Sequence, residues 1–101
     1  MPKFKVESKS ALSQAEAYSR MKQLLENDQD LRKMDASCKV SFSDNSHSGL
    51  IKGSKFSAEL NVTAQGTGSN VTIEVDLPLM LLPVKGMVQA TLEKKMSRAL
   101  T

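Results

Sequence analysis

Apolar and polar positions alternate from Lys3 to Ser8, where Phe4 and Val6 oppose Lys5 and Glu7, the period of a strand with one buried face. A helix over Ser13–Asn27 is expected next. Ser13-Gln14-Ala15-Glu16 has the form of a capping box, in which a hydroxyl and a carboxylate each satisfy a free backbone N–H. Ala17, Tyr18, Met21, Leu24 and Leu25 then recur at helical spacing, while Arg20, Lys22, Gln23 and Glu26 face away. The stretch Asn27 to Asp35 is polar apart from Leu31 and Met34 and predicts either another helical turn or a loop. Cys38, Val40 and Phe42 alternate as a second strand. Ser43-Asp44-Asn45-Ser46 supplies turn residues, and a return strand runs through Leu50 and Ile51, with Gly49 and Gly53 as positions for a bend or bulge.

The clearest hairpin follows. Phe56, Ala58, Leu60 and Val62 alternate outward, Gln65 to Ser69 turn, and Val71, Ile73, Val75 and Leu77 alternate back. Ser57, Glu59, Asn61, Thr72, Glu74 and Asp76 occupy the other face, so the sheet has one wet side and one that needs cover. Val84, Val88, Leu92, Met96 and Leu100, with Ala99, form a stripe at helical spacing that can supply it. The order is therefore β-α-β-β-β-β-α, and short connections between successive strands predict an α+β fold, an antiparallel sheet with two helices on one face. That layout is similar to a reduced helix-grip domain, in which a curved sheet wraps a long C-terminal helix. The whole of 1–101 reads as one domain, since a chain of 101 residues with 40% hydrophobic content has room for a single core.

The longest unbroken apolar run, Leu77-Pro78-Leu79-Met80-Leu81-Leu82-Pro83-Val84, joins the last strand to the last helix. Leaving its large side chains in water would forfeit about 10 kcal/mol, comparable to the stability of a small domain. Read as core, Leu77, Leu79 and Leu81 continue the inward face of the strand, and Met80, Leu82, Val84 and Met87 begin the covering helix. Read as a contact surface, alternation sets Met80 and Leu82 opposite Leu79 and Leu81 and leaves one set for a partner. Leu79, Met80, Leu81, Leu82, Val84 and Met87 are accordingly the candidate hydrophobic-contact residues. Gly86, about a turn after Pro83, marks a bend or a close backbone approach.

Composition removes several alternatives. Fourteen Lys and Arg against 11 Asp and Glu give a formal charge of +3, and the basic residues lack the interleaved aromatics that stack on bases, so no nucleic-acid partner is expected. Cys38 is the one cysteine, which rules out an intramolecular disulfide and a multi-cysteine zinc site. The N-terminus has no signal-peptide core, and the apolar run falls short of the ~20 residues of a membrane span, so a cytoplasmic chain with no membrane span is expected. His47, the only histidine, lies in a polar turn beside Asp44 and Ser46, neighbours too close along one loop to form a catalytic triad. Calcium-loop spacing and a phosphate-cradling motif are missing as well. No catalytic residue, metal site or cofactor is expected.

Several segments together resemble the bacterial polyhydroxyalkanoic acid system proteins, found among genes for making and using storage polyester granules. These are the opening Met-Pro-Lys-Phe-Lys-Val, Leu12-Ser13-Gln14-Ala15-Glu16-Ala17, Lys52-Gly53 before an alternating strand, and above all Leu77-Pro78-Leu79-Met80-Leu81-Leu82-Pro83-Val84-Lys85-Gly86. The resemblance implies a setting in storage-granule metabolism and no particular mechanism. Three functions compete. The first is a non-enzymatic protein contacting a granule surface, a lipid-like ligand or a granule protein through residues 77–84 and the last helix. The second is a homodimer that hides the same run without a ligand, and the third an acyl-substrate enzyme.

Overall fold

Five antiparallel strands form one sheet in the computed structural model, which describes residues 3–29, 33, 37–54 and 56–100. The strands are β1 (Lys3–Ser10), β2 (Lys39–Ser43), β3 (Ser48–Lys52), β4 (Ser57–Gln65) and β5 (Gly68–Asp76), and the two long helices among the described residues are α1 (Gln14–Asn27) and α2 (Lys85–Ala99). The sheet order is β1-β5-β4-β3-β2, so the first strand pairs with the last and three hairpin steps lead back to the other edge. Leu31 and Met34 lie outside the described residues.

Alternation fixes which face is buried. Phe4 and Val6, Ala58, Leu60 and Val62, and Val71, Ile73 and Val75 point into one core with Ile51, while Lys5, Glu7, Glu59 and Glu74 point to solvent. Helix α1 starts where Ser13 Oγ accepts the Glu16 N–H at 3.3 Å. Glu16 itself meets Arg20 one turn on, at 3.2 Å. Its apolar stripe, Ala17, Tyr18, Met21 and Leu25, is buried on the sheet. Helix α2 covers less: Met96 is its buried residue, Leu100 is buried just beyond its end, and Val88, Leu92 and Ala99 are half-buried against the core.

Helix α2 runs alongside β1. Its first residue, Lys85, holds its Nζ 5.6 Å from the centre of the Phe4 ring, and the carbonyl of Leu100 accepts from Ser10 Oγ at 3.2 Å. Gly49 makes no bulge. It sits within β3 opposite Phe42, whose ring fills the space a Cβ would take, 2.8 Å from Phe42 Cδ1. The β4–β5 turn is tighter than the five polar residues imply, because pairing continues to Gln65↔Gly68 and leaves Gly66, at φ 61°, and Thr67 as its centre.

Gly68 is where the hairpin meets the end of β1, and a Cβ there would overlap the Ser10 carbonyl oxygen. Since that obstacle is backbone, Gly68→Ala is expected to lower stability by roughly 1–3 kcal/mol. Gly86 meets nothing within 4 Å and lies inside α2, so its absence of side chain serves no close approach. Gly86→Ala is expected to raise stability by about 0.5–1 kcal/mol. Urea unfolding of both variants against wild type measures the opposite signs.

Candidate apolar contact site

Pro78 lacks an N–H to donate to a neighbouring strand, and β5 ends two residues earlier, at Asp76. Leu77 still turns inward and is buried to 1% exposure. From Leu79 to Val84 the chain forms a 3₁₀ helix, closed by the Lys85 N–H on the Leu82 carbonyl, and α2 begins at Lys85. The expectation that Leu79 and Leu81 extend the strand is therefore corrected, as is the expectation that Met80 and Leu82 open the covering helix. The physical cause is the two prolines. Pro78 ends the ladder, and Pro83 also has no N–H for a regular helical bond.

In a 3₁₀ helix residues three apart eclipse, so Met80 and Pro83 share one ridge. That ridge faces water. Met80 is 80% exposed, Leu82 38% and Met87, in the first turn of α2, 66%. Pro83 is exposed and Val84 half-buried. Of the six candidate residues, Met80, Leu82 and Met87 thus lie open, Val84 straddles core and surface, and the side chains of Leu79 and Leu81 lie outside the described set. Fully covering a side chain as open as Met80 contributes roughly 1.5–3 kcal/mol, and less for Leu82, which is already largely covered. Met is well suited to an irregular apolar partner, because its unbranched thioether adapts its shape.

A second cluster was not legible in the sequence. The Tyr18 hydroxyl, on α1, donates to Asp44 Oδ1 in the β2–β3 turn at 2.6 Å, and Lys22 Nζ approaches the same oxygen at 3.4 Å. His47, placed by the sequence in a polar turn, is half-buried with positive φ, and its ring stands edge-on to Tyr18 with centroids 5.5 Å apart. Phe42 meets Tyr18 edge-on from another side at 6.3 Å. Burial of the hydroxyl, reinforced by its bond to the Asp44 carboxylate, pushes the Tyr18 pKa up to about 12. The Tyr18 and Lys22 hydrogen bonds hold Asp44 below its ordinary value. The cluster ties α1 to the far end of the sheet. Elsewhere, hollows lie along the α1–α2 seam, one of about 500 Å³ lined by Arg20, Gln23, Leu24, Lys95, Arg98 and Ala99. Beside it Lys95 reaches Asp28 at 3.3 Å.

An antiparallel sheet with β1 beside β5, a helix inserted after the first strand and a long C-terminal helix along one face define a helix-grip α+β fold. Among solved structures the chain is similar to TTHA0849 from Thermus thermophilus, with a TM-score of 0.63 and 11% identity over 98% of this chain and 94% of that one. It is also similar to Ara h 8.0201, with a TM-score of 0.53 and 15% identity over 98% and 97% of the two chains. At these identities the likeness is one of fold. No curated protein matches the chain. The model of the family described as "Putative polyhydroxyalkanoic acid system protein" matches residues 4–100, and the chain belongs to that family.

Tyr18 is the single tyrosine, so its ionisation can be followed alone by phenolate absorbance. A raised native pKa means the folded state holds the proton more tightly than the unfolded state. Its contribution to stability is complete below the unfolded value of about 10 and is lost as pH rises toward 12. The phenolate midpoint is expected near 12 in the native protein and near 10 in concentrated urea, and Tyr18→Phe should remove this part of the alkaline loss of stability.

Proposed function

We propose that this chain is a non-enzymatic polyhydroxyalkanoate-system protein that associates with the storage granule through the exposed apolar side chains of Met80, Leu82, Pro83 and Met87. The observation that carries the reading is the exposure of Met80 and Met87, 80% and 66%, in the stretch directly after Leu77, which is buried to 1%. Folding alone gives no reason to set two large apolar side chains in water at the junction of strand and helix. Membership of a polyester-related family supplies a surface of matching chemistry. On this reading the helix-grip body is the support. The 3₁₀ segment and the start of α2 make the contact, and no residue acts as nucleophile or proton donor.

Met80→Asp with Met87→Asp, expressed in polyester-accumulating cells, tests the proposal. Both sites are exposed, so the variant should fold as wild type does by circular dichroism. Wild type is expected in the granule fraction and the variant in the soluble fraction, with at least a tenfold loss of partition, the equivalent of about 1.4 kcal/mol. A wild-type protein found entirely in the soluble fraction overturns the proposal. So would a stable dimer at low concentration that the same two substitutions split, since the ridge would then belong to a second copy.

A further inference from the structure

Register brings five residues into one transverse row across the solvent face of the sheet. Lys3 pairs with Asp76, Asp76 with Ser57, Ser57 with Lys52, and Lys52 with Lys39. The row lies at the end of the sheet where β5 runs out into the 3₁₀ segment. The other end of that segment returns to the same place, because Lys85 sits over the ring of Phe4, the neighbour of Lys3. Lys3, Lys39, Lys52 and Lys85 are all exposed. The apolar side chains therefore emerge from an end of the molecule that carries four lysines, of which Lys3 reaches Glu74 at 3.8 Å, and, in the row itself, a single acid, Asp76. The opposite strand ends carry Ser10, Ser43, Ser48 and Gln65 instead.

One feature of the row runs against stability. Lys39 and Lys52 stand directly opposite each other on paired strands, an arrangement that is unfavourable for like charges. Lysines on edge strands guard against unwanted strand pairing, which accounts for Lys3 on β1 and Lys39 on β2. It does not account for Lys52, on the interior strand β3, or for Lys85, on α2. Lys3 has Glu74 at 3.8 Å, but the facing Lys39 and Lys52 have no compensating ion pair among the described residues, and a local rule broken in this way points to use outside the fold.

We infer that this end docks on an anionic lipid surface, with the exposed side chains of Met80, Leu82, Pro83 and Met87 entering the acyl boundary and the lysines meeting the headgroups. The inference rests on the proposed apolar contact and names its chemistry. An uncharged polyester face would gain nothing from the lysines. A negatively charged interface with an apolar interior uses both features, since apolar burial and attraction to anionic lipid add in interfacial binding. Lysine is suited to the rim because its aliphatic stem lies along apolar surface while the ammonium stays in water.

Flotation of the full chain with vesicles tests this, using phosphatidylcholine alone and phosphatidylcholine in which about a third is replaced by phosphatidylglycerol. Binding is expected to the anionic vesicles, to fall as salt rises, to drop about fivefold for each of Lys52→Gln and Lys85→Gln, and to be lost in Met80→Asp with Met87→Asp. Equal binding to both vesicle types, or binding that salt and the lysine substitutions leave unchanged, overturns the inference. Bare polyester particles separate it from the reading it rests on. Binding to the particles with no preference among vesicles overturns the anionic-lipid inference alone, and binding to neither particles nor vesicles overturns both.

Discussion

The ladder between β1 and β5, from Lys3↔Asp76 to Ser10↔Ser69, joins the first strand to the last and sets the position of everything else. A slip of one residue would turn Phe4 and Val6 to solvent and bring Lys5 and Glu7 into the core, so the apolar pattern holds the register tightly. The contacts at its Ser10 end depend on it directly. The Ser10 carbonyl fills the space a Cβ on Gly68 would take, Ser69 Oγ donates to the Leu12 carbonyl at 2.9 Å, and Ser10 Oγ donates to that of Leu100 at 3.2 Å. One end of the ladder thus anchors the entry to α1 and the exit from α2. The other end releases the chain into the 3₁₀ segment.

Much of this was legible because it follows from local periods. The period-two runs around Phe4, Leu60 and Ile73 and the capped helix at Ser13 each have one burial solution, and together they give the element order and the α+β class. The apolar run stood out as a candidate contact for a related reason: alternation within it leaves one set of side chains off the core face. Its conformation was not, because alternation and helical spacing both fit a continuous apolar run, and the arbiter was the pair Pro78 and Pro83 rather than any period. The Tyr18–Asp44 bond escaped for a different reason. It spans 26 residues, and neither residue type announces a partner at that distance.

Helix α1 is held at both ends of its contact with the sheet. Gln14 Nε2 donates to the Val62 carbonyl at 2.9 Å near its start, and Tyr18 one turn later locks onto the β2–β3 turn. Helix α2 is held more lightly along its middle, where Val88 and Leu92 are half-buried. The division of labour follows from burial. The sheet and α1 form the part of the core that closes completely, around Met21 and Leu60, both 0% exposed, and α2 is fastened chiefly through Met96, also fully buried, and through Leu100.

That asymmetry bears on how the ridge stays open. A helix pinned by its last turn, at Met96, and joined to the sheet through a 3₁₀ segment has its first turn free to present Met87 instead of burying it. Had the run continued as strand through Leu79 and Leu81, pairing would have placed alternate side chains on the core face. Had α2 begun at Leu79, its stripe would have carried the apolar side chains toward the sheet. The prolines exclude both outcomes, because Pro78 cannot donate to the ladder and Pro83 cannot sit in a helix interior at low cost. The same backbone chemistry that ends the sheet therefore creates the exposed face. Since β5 ends on the lysine row, apolar ridge and positive charge arrive at the same end of the molecule through one short stretch of chain.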